Sequence, residues 1–565
     1  MINFKEKVSD ALSAVIEELS KEEIDNLVET PPSFDMGDYA FPVFRLAKTY
    51  KKAPNLIAED IKEKLGDNEY FEKIENAGPY VNFFINKEKL LEAVYKEIEE
   101  KGEMYGSSDM GKGKNVIVEF SSPNIAKPMH IGHIRSTVIG NALYHIFKHL
   151  GYNAIAINHL GDYGTQFGML IAAYKLWGDR EAIEKNPIDE LLDLYVRYNK
   201  LQELDPAARD TARDWFKKLE QGDEEATEIW TWMKQLSIVE FEKVYDMLGI
   251  KYDSYKGEAF YSDKMPAVIE EIKEKNIGKM DDGAYIVDLK PYNLTPLIIV
   301  KSNGTTTYAT RDIAAARYRK KTYDFYKNIY VVASEQNLHF QQWKQVLKLM
   351  GDEWADDCIH VNFGLISLKD GALSTRQGRV LKLEDVLNKA IEKTRDIIEK
   401  RNPNLENKDE VAKMVGTGAI VFQELFNQRI KDYVFDWDKT LSFEGETGPY
   451  AQYTYARCKS LIDKNGGFDP EKVDFDLVKD EAYEILKYVY DLPRTIVMAM
   501  EKYEAFYITR NIIDIAKAFN KYYAANQIIT DDEKLTNSRL AIVDITQKAI
   551  KVGMNLIGVQ TPDRM

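Results

Sequence analysis

The sequence predicts a multidomain α/β protein. A parallel-sheet core carries a helical insertion, a smaller α+β domain precedes it, and an all-α helical bundle follows. Three observations predict this. First, Val116–Phe120 and Ala154–Ile157 are short apolar runs, and between them Ile134, Val138, Ala142, Ile146 and Leu150 recur every four positions. A strand, an amphipathic helix and a second strand at this spacing close right-handed and require a parallel sheet. Second, residues from about 172 to 275 are charged, helical in pattern and without strand rhythm. Third, from about residue 380 nearly everything reads as helix, as at Tyr483, Leu486 and Tyr490 before Leu492-Pro493. A chain of 565 residues is also too long for one core, so three or four domains are expected.

Taken in order, Met1 to Ser20 reads as an amphipathic helix bearing Glu6, Asp10, Glu17 and Glu18. Tyr80–Ile85 is the clear strand of the first domain, and glycine-rich Gly106–Lys114 reads as a linker. After the strand ending near Glu119, a loop with Pro123 and Pro128 leads to His130, and Gly151 is placed to cap the helix that follows. Beyond the insertion, which separates two halves of the sheet, strands are expected at Ala284–Leu289, Pro296–Val300 and Ile329–Ala333. The expected domains are 1–110, 111–380 with its insertion, a helical connector 381–445 and a bundle 446–565.

Composition narrows the function classes. Apolar content of 44% and charged content of 30% describe an ordinary soluble protein. A net charge of −16 disfavours indiscriminate nucleic-acid binding, though local basic patches still permit a specific nucleic-acid partner. DNA is not expected as a partner. Cys358 and Cys458 lie far apart, which implies neither a disulfide framework nor a cysteine zinc site. The N-terminus is too acidic for a targeting segment, and no apolar run reaches spanning length. A cytoplasmic location without membrane attachment is expected.

His130-Ile131-Gly132-His133 carries the chemistry. Two imidazoles three residues apart project from a first helical turn, where unpaired N–H groups and the helix dipole already favour anions. Both can donate to phosphate oxygens as charge builds in a transition state. Gly132 lets a flat ring approach the backbone. The combination suits ATP held while its α-phosphorus is attacked.

This tetrapeptide is the signature of class I aminoacyl-tRNA synthetases. Glu119–Met129, His159–Gly168, Gly448–Tyr453 and the terminal Pro562-Asp563-Arg564-Met565 resemble arginyl-tRNA synthetases in particular, and the similarity runs along nearly the whole chain. The resemblance implies a Rossmann-type catalytic domain, an N-terminal domain on the tRNA outer corner and an anticodon-binding bundle. The activity implied is ligation of arginine to tRNA(Arg) through arginyl-adenylate, with release of pyrophosphate and AMP. Activation would require bound tRNA. ATP is a substrate, Mg²⁺ accompanies it on phosphates and water, zinc is not expected, and a monomer is implied. The rival readings are another class I synthetase or Rossmann nucleotidyltransferase, and a catalytically silent tRNA-binding module.

A guanidinium is planar and needs paired acceptors and an aromatic face. Tyr308 and Asp312 are four apart and share a helix face. By resemblance, Glu119, Tyr308 and Asp312 enclose the arginine side chain, while Asn124 and Gln336 hold its backbone amine and carboxylate. Gly132, Gly161 and Asp162 would join the histidines around ATP. The second class I signature is altered: Ala372-Leu373-Ser374-Thr375-Arg376-Gln377-Gly378 lacks both lysines. Lys127, just before the histidines, is expected to neutralise phosphate charge, with Arg376 assisting. Asn82 is the expected base reader of the first domain. Tyr450, Gln452, Tyr453 and Arg457 are the expected readers of the bundle.

Overall fold

The computed structural model describes residues 1–368 and 381–565. The chain forms two compact units. One comprises Met1–Tyr105, Arg457–Leu492 and Asp514–Lys551; the other comprises Gly106–Ala456, Pro493–Ile513 and Val552–Met565.

The second unit holds the parallel sheet. Its strands lie in the spatial order Cys358–Phe363, Lys327–Ala333, Asn115–Glu119, Asn153–Ile157, and every neighbouring pair is parallel. Helix Gly132–His149 crosses from Asn115–Glu119 to its neighbour on one side, and helix Asn337–Met350 crosses from Lys327–Ala333 to its neighbour on the other. The connections leaving the carboxyl ends of the two central strands therefore run in opposite directions. An open parallel sheet binds ligands in the crevice at such a reversal. Glu119 ends one of these strands, and Ser334–Gln336 follows the other.

Two expectations change here. Ala284–Val287 and Leu297–Val300 do not extend the parallel sheet. With Gly278–Asp281 they form a separate three-stranded antiparallel sheet. The turn Asp281–Ala284 is too short for a crossover, and only antiparallel neighbours can be joined that way. Conversely, Cys358–Phe363 is a parallel edge strand that the pattern did not reveal, because its His360 and Asn362 alternate with apolar residues. Gly106–Lys114 is not an open linker. Gly111 N–H donates to the Leu150 carbonyl and Gly113 N–H to the Gly151 carbonyl, and a side chain at Gly111 would strike the Tyr152 backbone nitrogen at 2.4 Å.

The insertion is helical as expected, its longest helix being Glu224–Leu248. In the first unit, Tyr80–Ile85 is the centre of an antiparallel sheet between Tyr39–Pro42 and Phe71–Ala77. That unit also draws in late helical residues: buried Asp38 accepts a hydrogen bond from Tyr483 and pairs with buried Lys487 at 3.3 Å. Among the described residues, no helix is long and apolar enough to cross a membrane.

Candidate functional site

The loop from Glu119 to His130 is held in an unfavourable backbone conformation. Ser121, Ser122 and Ala126 all have positive φ (71°, 50° and 59°). Such residues cost about 1–3 kcal/mol each and persist only where the surroundings over-determine them. Here the surroundings do. Ser121 N–H donates to Ser136 Oγ (2.9 Å), which itself donates to the Val331 carbonyl (2.7 Å). Ser121 Oγ meets Tyr245 Oη at 2.9 Å, and Ala126 N–H donates to Ser237 Oγ at 3.0 Å. The histidine helix and the insertion thus fix the loop from two sides.

At its end the two imidazoles lie 3.9 Å apart, centroid to centroid. Gly132 N–H donates to His130 Nδ1 at 3.1 Å, and His130 N–H donates to His133 Nδ1 at 3.0 Å. An Nδ1 that accepts a hydrogen bond carries no proton, so the bond from Gly132 assigns the His130 proton to Nε2, and His130 presents an Nε2–H donor. His133 Nδ1 lies within reach of both the His130 N–H (3.0 Å) and the His130 carbonyl (3.3 Å), and its tautomer follows from which of the two it meets. Gly132 is required by close approach: a Cβ there would lie 2.8 Å from His130 Cε1 and 2.9 Å from Nδ1. Burial lowers the pKa of both imidazoles. His133 falls to about 3, with His130 beside it as a smaller cause. A lowered histidine pKa means the neutral form persists into acid. In the ligand-free protein, ¹⁵N imidazole shifts of His133 are expected to stay flat from about pH 8 to about pH 5. A midpoint near the ordinary value of about 6.5 would mean the ring is solvated.

The acidic groups gather around helix Tyr308–Tyr323. Tyr308 and Asp312 occupy one face of helix Tyr308–Tyr323. The Tyr308 ring is 60% exposed and lies 4.6 Å from the ring of His339, whose Nε2 meets Asp312 Oδ2 at 2.6 Å. Glu119 Oε2 lies 2.5 Å from Nη1 of fully buried Arg319. Arg319 Nη2 in turn reaches His159 Nδ1 at 3.3 Å. Through Arg319, Glu119 thus meets the helix that carries Asp312. Burial raises the nearby Glu258 carboxyl to about 7 against the pull of Arg311, with Asp312 and Asp162 adding to the rise. Asn124 is exposed and bridges to Gly161, where a side chain would collide with Asn124 Oδ1 at 1.9 Å. Gln336 is exposed at the start of helix Asn337–Met350. Lys127 Nζ sits 4.9 Å from the centre of the Tyr195 ring. Arg376 lies outside the described residues.

Three expected contact residues need correction. Asp162 is fully buried, with Oδ1 accepting from Ala259 N–H (2.8 Å) and Oδ2 from Lys234 (2.6 Å). Its carboxylate fastens the loop to the insertion and does not face a nucleotide. Gln452 is fully buried and donates to the Met414 and Gln560 carbonyls at 3.2 and 2.6 Å, so it ties the bundle and does not read a base. Asn82 is 5% exposed in the central strand of its sheet, too enclosed to receive a base directly, though its Oδ1 finds no hydrogen-bond partner. Tyr450 is half-buried and Tyr453 is exposed. Arg457 is half-buried; it donates to Asn520 Oδ1 at 2.5 Å and lies 4.9 Å from the Tyr523 ring centre.

Arg319 and His339 were not singled out above, yet helix phase points to one of them. Tyr308, Asp312 and Arg319 fall on one face at spacings of four and seven. His339 follows Gln336 by three, in the first turn of the next helix.

Residues 93–437 match the family described as "tRNA synthetases class I (R), catalytic domain". Residues 3–85 match "Arginyl tRNA synthetase N terminal domain", and residues 451–565 match "DALR anticodon binding domain". The chain is 59% identical to an arginine–tRNA ligase of Halothermothrix orenii and 53% identical to one of Clostridioides difficile, each over 100% of both chains. Its fold is similar to that of the arginyl-tRNA synthetase of Thermus thermophilus, with a TM-score of 0.83 and 23% identity over 100% of both chains. Paired imidazoles at the start of the helix that follows a central strand of a parallel sheet thus coincide with sequence likeness along the full length, and the chain belongs to the class I arginyl-tRNA synthetases.

Proposed function

We propose that this chain, as an arginine–tRNA ligase, assigns its reaction to the crevice between the two central strands in the following way. Asp312 and Glu119 accept the N–H fork of arginine while Tyr308 covers its face. Each carboxylate already meets one internal donor, and a carboxylate offers about four lone-pair sites, so capacity remains for a guanidinium. Asn124 and Gln336 hold the amine and carboxylate. ATP lies on Gly132 and the two imidazoles, beside Gly161. The arginine carboxylate oxygen attacks the α-phosphorus and the bond to the β-phosphate oxygen breaks. Pyrophosphate leaves and arginyl-adenylate forms. A ribose hydroxyl at the tRNA 3′ end then attacks the arginyl carbonyl, and AMP leaves. No protein nucleophile takes part, so catalysis is positioning plus stabilisation of phosphate charge. The imidazoles of His130 and His133 supply uncharged N–H donors, and Lys127 supplies charge, with Arg376 assisting. The observation that supports this reading is that Arg319, on the helix that bears Tyr308 and Asp312, ties Glu119 to that helix at the strand end from which the chain runs on to the paired imidazoles.

Mg²⁺ accompanies ATP, held by phosphates and water. Among the described residues, no cluster of three or more His, Cys, Asp or Glu side chains is arranged to hold a metal. Residues 1–110 bind the outer corner of the tRNA, 381–445 its inner corner, and 446–565 its anticodon, with Tyr450, Tyr453 and Arg457 as the remaining reader candidates. The enzyme works as a cytoplasmic monomer.

The test is aminoacylation of total tRNA with each of the twenty amino acids. Only arginine is expected to be charged. Lysine should be rejected by about 10⁴-fold or more, because its single ammonium leaves a planar acceptor pair unfilled. Charging of lysine within about tenfold of arginine would overturn the assignment of Asp312 and Glu119.

A further inference from the structure

Leu381–Leu383 pairs with the histidine segment. Ile131 N–H donates to the Leu381 carbonyl at 3.1 Å, Leu383 N–H donates to the Met129 carbonyl at 2.9 Å, and His130 and Lys382 are partners in the antiparallel bridge between them. The two hydrogen bonds flank this pair and do not join it. It is therefore a non-hydrogen-bonded pair, whose Cα atoms lie about 4.5 Å apart and whose side chains leave the same face. Lys382 stands beside His130.

The lysine is held elsewhere. Its Nζ donates to Asp189 Oδ1 at 2.6 Å, and Asn186 Nδ2 donates to Asp189 Oδ2 at 3.2 Å. Asp189 sits in the first turn of helix Pro187–Leu204, and its carboxyl is held below the usual range chiefly by Lys382. The same helix carries Tyr195, whose ring lies beneath Lys127. One helix of the insertion thus holds both lysines that flank the imidazoles. Those imidazoles are neutral and donate without carrying charge. Both lysines of the second class I signature are missing from this sequence. A triphosphate on the histidines needs cations, and a lysine ammonium on its flexible four-carbon stem is suited to exchange one anion for another.

We propose that Lys382 is a phosphate-directed residue of the ATP site. Its ammonium passes from Asp189 to the triphosphate beside His130 when ATP binds. Asp189 is the competing anion, and the helix dipole gives it a stable place without the lysine. The inference rests on the placement of ATP at the paired histidines.

The test uses the full-length enzyme with tRNA(Arg) present, measuring arginine-dependent ATP–pyrophosphate exchange while ATP and arginine are each titrated. Lys382→Gln is expected to raise the KM for ATP about tenfold, the loss of one charge-assisted contact, and to leave the KM for arginine within about twofold. Lys382→Arg should recover most of that loss. Asp189→Asn removes the competitor, so the KM for ATP should stay level or fall. A merely structural ion pair makes the opposite forecast: Lys382→Gln and Asp189→Asn break the same pair and shift the KM for ATP together. That result, or an unchanged KM for ATP in Lys382→Gln, overturns the proposal. His130→Ala separates the two readings. If it is impaired while Lys382→Gln is not, the proposal alone falls. If neither is impaired, the histidine site falls and the proposal with it.

Discussion

Asp312→Ala is expected to lower arginine charging by about 300-fold while tRNA(Arg) affinity stays within about twofold. The size follows from the chemistry of the pocket. Truncating one partner of a hydrogen-bonded charge pair costs about 2–5 kcal/mol, and each 1.4 kcal/mol is tenfold. Asp312 is partly exposed, which favours the middle of that range. The loss should appear in kcat/KM for arginine, with the KM for ATP little changed, because the proposal assigns the carboxylate to the amino acid and not to the nucleotide. Asp312→Asn keeps one acceptor oxygen and loses the charge, so it should fall between wild type and alanine. His339 supplies the control. It meets Asp312 Oδ2, and Tyr308 lies against its ring. If His339→Gln reproduced the whole loss of Asp312→Ala, the aspartate would act by placing the imidazole. Full-strength charging by Asp312→Ala would mean the arginine pocket lies elsewhere.

What could be read from sequence divides along physical lines. Asn115–Glu119, Asn153–Ile157 and Lys327–Ala333 were legible because buried parallel strands are runs of apolar residues. The histidine helix was legible because its four-residue spacing is local. Cys358–Phe363 was not, since an edge strand exposes one side and tolerates His360 and Asn362. The strands near 284 and 297 were found but given the wrong partners: strand character is local, whereas pairing is decided by what lies far along the chain. The spacing of Tyr308 and Asp312 put them on one helix face, as the structure has them beside His339, whereas the role given to them came from the resemblance. Asp162 and Gln452 were misjudged for one shared reason. A polar residue in a motif looks like a ligand contact until its partners are known, and Lys234, Ala259, Met414 and Gln560 are all remote in sequence. Lys382 escaped notice for the converse reason. It looks like any surface lysine, and only the bridge to His130 gives it a place.

The pair Glu119–Arg319 yields the prediction with the largest effect on folding, and it also tests a role in binding. Both side chains are buried, and Arg319 lies 5.7 and 5.5 Å from the ring centres of Tyr261 and Tyr330. Arg319→Met strands a buried carboxylate and Glu119→Met strands a buried guanidinium. Either should cost about 3–5 kcal/mol of stability, read as a fall in the denaturant midpoint. Replacing both by methionine removes the two desolvation penalties together and should restore stability to within about 1–2 kcal/mol of wild type. Charging then decides what Glu119 is for. If its carboxylate serves only to neutralise Arg319, the refolded double variant charges arginine normally. If it also accepts the substrate guanidinium, the double variant is stable yet still about 10²-fold impaired in kcat/KM for arginine, and no rearrangement of apolar side chains can replace the lost acceptor. The second outcome is expected. A carboxylate at the end of a central strand, tied through Arg319 to the helix that carries Asp312 and set where the sheet's connections reverse, is placed to receive the amino acid of the proposed reaction.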